Sequence, residues 1–235
     1  MPQSPARNFI QEPCDQWDDW YSYLLDLPLW DGLSFLNYGY LPPIFEMPHG
    51  DVSSTELAEL SENLYGKVVE GLPREDASIL DVGSGRGGGV LHYAMKFPGA
   101  SVTGLEQNTR QWNRCAANIR MDNIRFVCGS SDQMPFNENS FDLITSVESS
   151  HCYANMEGFF QEAKRVLRPG GHLVVADFRD EVGCNQLLRQ ADKAGLWLVD
   201  EEDITSGVVG ALLRTTNLKR RMIREHTPFS MRNQF

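Results

Sequence analysis

Ser78-Ile79-Leu80-Asp81-Val82-Gly83-Ser84-Gly85-Arg86-Gly87-Gly88-Gly89 is the stretch on which the reading of this chain turns. Ser78 to Val82 is a short apolar run built on Ile79, Leu80 and Val82, as a buried parallel strand should be. Asp81 lies inside it, and spaced glycines follow at Gly83, Gly85 and Gly87. A helical pattern then begins at Val90 and runs through His92, Tyr93 and Met95. Strand, glycine turn and helix make the first unit of a nucleotide-binding α/β domain. Glycines let backbone approach a ligand closely, and the helix N-terminus offers free N–H groups to an anion.

Gly83, Gly85 and Gly88 also satisfy Gly-x-Gly-x-x-Gly, a pattern that many plain turns share. Two further residues give it weight. Asp81 precedes the first glycine, and a second strand, Ser101 to Leu105, ends in Glu106. A carboxylate at that place suits a ribose diol, because it accepts from both hydroxyls. Nicotinamide enzymes and adenosylmethionine enzymes both need such a group.

Outward from this unit, strand and helix alternate. Strands are expected near 78–82, 101–105, 124–128, 141–147, 172–178 and 196–199, and helices near 89–97, 108–120, 156–167, 181–194 and 207–225. The alternation predicts an α/β fold with a doubly wound, mostly parallel, Rossmann-like sheet. Upstream, Trp17, Trp20, Tyr21, Leu24 and Leu25 fall at helical spacing. Ser53 and Glu56 read as a capping box ahead of Leu57, Leu60, Leu64 and Val68 on one helical face. Three parts follow: a helical N-terminal cap and lid over 1–72, a cofactor-binding core over 73–205, and a C-terminal helix and tail over 206–235. Arg214, Lys219, Arg220, Arg221 and Arg224 give the last helix a basic end, read as a solvated face that complements the helix dipole.

The 235 residues are 41% hydrophobic, enough for a large core, and the formal charge is −11. That charge argues against nonspecific nucleic-acid binding, which requires a basic surface. Five scattered cysteines without a Cys-x-x-Cys pair fit reduced thiols rather than a zinc knuckle. Neither a signal peptide nor a membrane-spanning run is evident, so a cytoplasmic location is expected.

In such a sheet, ligands lie beyond the carboxyl ends of the strands. Those ends carry Asp81 to Gly85, Glu106-Gln107, Ser130-Ser131-Asp132, Val147 to Tyr153, and Asp177. Within the fourth, Glu148-Ser149-Ser150-His151-Cys152-Tyr153 is unusually polar after Leu143-Ile144. His151 is its sharpest catalytic candidate, since an imidazole titrates near neutrality. Asp177 reads either as a cap for the next helix or as a functional carboxylate.

A family resemblance rests on Ile79 to Gly87, Glu106, Met134-Pro135-Phe136, Ser140-Phe141-Asp142-Leu143-Ile144 and Arg165-Val166-Leu167-Arg168-Pro169-Gly170-Gly171. Together these resemble the class I S-adenosylmethionine-dependent methyltransferases. Leu36-Asn37-Tyr38-Gly39-Tyr40, the Arg86 to Gly89 run and the Glu148 to Tyr153 segment resemble the branch that methylates lipids and polyketides. The phthiotriol and phenolphthiotriol dimycocerosate methyltransferases belong there, with sterol methyltransferases more distant. The resemblance implies S-adenosylmethionine as cofactor and S-adenosylhomocysteine as product. It implies that Asp81, Gly83, Ser84 and Gly85 frame the methionine end, that Glu106 takes the ribose, and that Gln107 lies beside the adenine. Relatives carry an Asp where Ser130 stands, so Ser131 or Asp132 must take over the adenine contact. Tyr38 would lie in the segment that folds over the sulfonium, and Val147 and Glu148 would be further cofactor contacts. His151 would be the general base, supported by Asp177, and the acceptor a hydroxyl on a lipophilic small molecule.

Such a reaction needs little beyond alignment. Placing the nucleophile in line with an activated methyl group supplies about 7–11 kcal/mol. A positioned base adds roughly 10²–10⁴-fold. No metal is required. The competing readings are a nicotinamide oxidoreductase, a non-catalytic binding protein of the same fold, and a carbon methyltransferase. Dehydrogenases usually open on the glycine turn, whereas 77 residues precede Ser78 here.

Class I methyltransferases normally insert a seventh, antiparallel strand beside the fifth. The polar tail from Thr227 to Phe235 does not read as one. The expectation is therefore a six-strand sheet in which Leu196 to Val199 either pairs with the fifth strand or detaches. An open apolar edge, homo-oligomer formation and weakened turnover would follow.

Overall fold

The computed structural model describes residues 34–42, 52–72 and 75–226. The expected helix over Trp17 to Leu25 and the tail beyond His226 lie outside them. The element order is α1 (Ser54–Val68), β1 (Ser78–Val82), α2 (Gly88–Lys96), β2 (Ser101–Glu106), α3 (Thr109–Asn118), β3 (Ile124–Cys128), β4 (Phe141–Val147), α4 (Met156–Val166), β5 (Leu167–Ala176), α5 (Glu181–Lys193) and α6 (Thr205–His226). A single 3₁₀ turn, Ser150–Cys152, sits between β4 and α4.

Among the described residues, five strands form one parallel sheet in the order β3-β2-β1-β4-β5. The chain winds outward from β1 to β3 and then returns to place β4 on the other side of β1. That reversal opens a crevice between the carboxyl ends of β1 and β4, where such sheets bind ligands. β1 is buried on both faces, and its alternate residues serve different layers. Ile79 packs with Leu64, Val68, Val90, Tyr93 and Val102 under α1 and α2. Leu80 and Val82 pack with Phe159, Phe160, Ala163 and Val166 of α4.

The helix starts follow their sequence signals. Ser53 Oγ accepts from the Glu56 amide at 3.0 Å and caps α1. The Glu56 carboxylate, however, does not complete the capping box: it grips Arg214 of α6. Asn108, Asn155 and Asp180 cap α3, α4 and α5. Asp177 caps none of these helices.

Two expectations about β5 need correction. The strand begins at Leu167, straight from α4, and takes Arg168-Pro169-Gly170-Gly171 into its first half across a register shift between Phe141 and Leu143. It ends at Ala176, so Asp177 is the first residue beyond it. The sixth strand does not form. Gly195, at φ +79, closes α5, with the Leu196 amide donating back to Ala191 O. Trp197, Leu198 and Val199 then run exposed and outside the sheet. Among the described residues β5 is an edge strand, and detachment is the alternative that occurs.

The basic end of α6 is also not one solvated face. Gly207, Ala211 and Thr215 are buried at four-residue spacing, and half-buried Lys219 continues their row. Gly207 lies so close to the Tyr40 ring that a Cβ would come within 2.1 Å of it. Arg220, Arg221 and Arg224 do face solvent.

Candidate active site

The strand ends enclose a cavity lined by Leu36, Gly83 to Arg86, Glu106 to Asn108, Ser131, and Val147 to Ser149. Its floor is the glycine turn. The Gly83 and Ser84 amides both donate to Leu105 O, at 2.9 and 3.0 Å, which ties β1 to the end of β2. Gly83 has φ +72, and a Cβ there would meet Ser149 at 2.7 Å. Only glycine lets the turn pass under that serine.

Glu106 is buried at the end of β2. Its Oε2 accepts from the Gly85 amide at 2.7 Å and its Oε1 from the Asn108 amide at 2.8 Å. The carboxylate is thus fixed in orientation before any ligand arrives. Asp81 sits beneath the turn, 1% exposed. Its Oδ1 accepts from Thr145 Oγ1 at 2.9 Å, while Oδ2 is buried without a hydrogen-bond partner. Burial pushes the Asp81 carboxyl up to about 7, against the Thr145 hydrogen bond.

A second cluster stands across the crevice. Asp177 Oδ1 pairs with His151 Nδ1 at 2.8 Å, and Oδ2 accepts from the His151 amide at 2.9 Å. Ser150 Oγ donates to Oδ2 at 2.5 Å, the Phe178 amide donates to Oδ1 at 2.9 Å, and Arg179 lies 3.4 Å from Oδ1. Burial by itself would raise Asp177. The His151 ring, Arg179 and Ser150 outweigh it and hold the carboxyl below its usual range. An ionised Asp177 must accept a proton-bearing Nδ1, which leaves the imidazole lone pair on Nε2.

Next to this pair, Glu148 occupies the left-handed region, at φ +46. Its amide donates to Ala176 O at 2.7 Å, and its Oε2 accepts from the Tyr38 amide at 2.9 Å. Burial pushes its carboxyl up to about 8. The His151 ring lies 4.5 Å from that of Phe178, and Phe178 lies 5.8 Å from Tyr38. Imidazole and two aromatic rings therefore form one wall.

The methyltransferase-domain family model matches residues 80–175. A fatty-acid O-methyltransferase of Mycolicibacterium smegmatis is 31% identical over 86% of this chain and 74% of its own length. The chain belongs to the S-adenosylmethionine-dependent methyltransferases. A phthiotriol/phenolphthiotriol dimycocerosates methyltransferase of Mycobacterium leprae is 29% identical over 92% of this methyltransferase and 80% of its own length. Among solved structures, the [4+2]-cyclase SpnF superposes with a TM-score of 0.73 at 22% identity, covering 91% of this chain and 84% of SpnF. The geranyl diphosphate C-methyltransferase of Streptomyces coelicolor does so with 0.68 at 18%, covering 91% and 89%. At these identities the two structures speak for the fold alone. The cofactor of this methyltransferase is S-adenosylmethionine.

Of the site residues expected from sequence, Gly83, Ser84, Gly85, Glu106, Gln107, Ser131, Val147 and Glu148 line the cavity. Tyr38, Asp81, His151 and Asp177 stand outside its lining, and Asp132 is held by the Ser130 hydroxyl. Sequence reasoning placed Ser149 and Tyr153 only within a polar segment, gave them no role, and missed Ser146. Ser146, Ser149 and Tyr153 are mutually bonded at 2.8 to 3.0 Å, and Ser149 and Tyr153 both donate to Val82 O. They stitch the ends of β1 and β4 together. Ser146 inside an apolar strand was the available signal. Lys219 was missed as well; the four-residue row Gly207, Ala211, Thr215, Lys219 could have revealed it.

Proposed function

We propose that this methyltransferase methylates an oxygen, a hydroxyl on a lipid-like or polyketide-like acceptor, with His151 as base and Asp177 as its positioning partner. The observation that carries this reading is the His151–Asp177 pair, whose ring joins the aromatic wall beside the cofactor cavity. The relative that is a fatty-acid O-methyltransferase agrees with an oxygen acceptor on a lipid.

The cofactor fits the residues present. Glu106, held by two amides, would accept from the ribose hydroxyls. Asp81, with its buried bare Oδ2, would receive a cationic methionine end, and Gly83, Ser84 and Gly85 give that end close backbone approach. Gln107 and Ser131 would border the adenine, and Val147 and Glu148 the sulfonium. When bound, the cofactor supplies an electrophilic methyl group. The protein's part is then alignment and proton transfer. Tyr38, Phe178 and His151 would offer an aromatic surface on one side. Nε2 of His151 takes the hydroxyl proton as the oxygen attacks, and the Nδ1 proton stays on the Asp177 side, where the carboxylate stabilises the imidazolium.

The test is methyl transfer from labelled cofactor into long-chain alcohols, hydroxylated fatty acids and phenols. His151→Ala should lower kcat by at least 100-fold with cofactor affinity unchanged. Product carrying the label on carbon, or activity untouched by the substitution, would sink the reading. The division into a cap over 1–72, a core over 73–205 and a C-terminal helix belongs to the same proposal, as does a cytoplasmic enzyme. Among the described residues no helix is long and apolar enough to cross a membrane.

A further inference from the structure

Lys219 takes no part in the chemistry above, yet it lies beside Tyr38 and within the field of Glu148. It stands on the inward row of α6, one helical turn beyond buried Thr215. Its Nζ lies 5.6 Å from the centroid of the Tyr38 ring. Tyr38 meets Phe178, and Phe178 meets His151, so the ammonium and the imidazole occupy opposite ends of one aromatic wall.

Docking the helix does not explain this cation. α6 is already anchored by Arg214, whose Nε and Nη2 reach the two Glu56 oxygens at 2.6 and 3.0 Å, by the Leu41 amide bonded to Gly207 O, and by the Gly207–Tyr40 contact. Nor is Lys219 in a salt bridge among the described residues. Glu148 contributes a field, but its Oε2 accepts from the Tyr38 amide. Burial lowers the Lys219 pKa, the expected result when a cation is drawn in from water. An inward ammonium of this kind is expensive to keep unless a ligand uses it. A single lysine is a point charge with three donors, suited to one negative charge, and the chain's net charge of −11 disfavours a dianion.

We propose that Lys219 is a specificity-determining residue that holds a carboxylate on the acceptor, apart from the oxygen that is methylated. The acceptor is thus a hydroxylated, carboxylate-bearing lipid, its hydroxyl at His151 and its carboxylate across the Tyr38–Phe178 wall. This rests on the O-methylation reading for the position of the reacting oxygen only.

Calorimetry on the enzyme loaded with S-adenosylhomocysteine tests it without turnover. Dodecanoate should bind at least tenfold tighter than dodecanol. Lys219→Met should abolish that preference, and Lys219→Arg should keep most of it. Equal affinity for the two probes, a preference that survives in Lys219→Met, or tighter binding of dodecyl phosphate would each overturn the assignment. A second arm compares methyl transfer to hydroxylated fatty acids and to their methyl esters. A lower KM for the free acids, lost in Lys219→Met, supports the inference. Equal use of acid and ester defeats it while leaving O-methylation intact. Label found on carbon defeats the O-methylation reading instead, while a dodecanoate preference lost in Lys219→Met still supports the carboxylate site.

Discussion

Two carboxylates at the strand ends carry opposite instructions. Glu106 is pinned by the Gly85 and Asn108 amides and needs no rearrangement to meet two hydroxyls. Glu106→Ala is expected to weaken S-adenosylmethionine binding at least tenfold by calorimetry, and an unchanged Kd would remove it from the site. Glu148 is drawn in from water and pushed up to about 8. A carboxyl raised on folding stabilises fully below its unfolded value, near 4.5, and that contribution is lost as pH rises through 8. Asp81, at about 7, acts in the same sense. His92 opposes them: burial pushes it down to about 4, so its contribution is complete above 6.5 and lost below. Between pH 6.5 and 8.5 the two carboxyls therefore govern. The melting temperature of the ligand-free enzyme should fall across that window, and Glu148→Gln should flatten the fall. An equal slope in wild type and variant would contradict the assignment.

At the scale of elements, the glycine turn is the least replaceable piece. Gly83→Ala would put a Cβ 2.7 Å from Ser149 at a φ of +72. The cost expected is about 1–3 kcal/mol of stability, read by urea unfolding. Cofactor affinity should fall with it, since Ser149 belongs to the bonded trio that joins β1 to β4. This turn was legible from sequence because its signal is local: an apolar pentad, an acid, and glycines at fixed offsets. His151 and Asp177 could be singled out for a related reason, since each lies beyond a strand whose apolar run is easy to see. β5 was harder. Pro169 and Gly170 fall between the expected helix and the expected strand, yet the chain carries them within the strand across the register shift beside Phe141. Leu196 to Val199 has the composition of a strand but no ladder to join, and strand formation is decided by a partner that sequence does not name. The roles of Arg214 and Lys219 depended on which face of α6 turns inward, and the Glu56 pair settles that from 158 residues away.

For the whole molecule, the sheet ends among the described residues in two edge strands, β3 and β5. There β5 pairs with β4 alone, and Trp197, at 77% exposure, and Val199, at 76%, stand exposed after α5. An edge of this kind favours association with a second copy. Light scattering should give a mass that rises above 26.5 kDa with concentration, and Trp197→Lys should suppress the rise. A constant monomer mass would show that the edge is shielded.

The lone ladder of β5 also bears on how its amides meet deuterium. Successive N–H groups of a strand point to opposite sides, so those turned toward β4 are held while their neighbours look outward. Exchange along Leu173 to Ala176 should then alternate, slow and fast, with a two-residue ripple. Beyond it the Asp177 clasp protects the His151 and Phe178 amides, which ought to exchange among the slower groups of their loops. If a second copy adds a strand to this edge, the fast amides slow and the ripple flattens at high protein concentration.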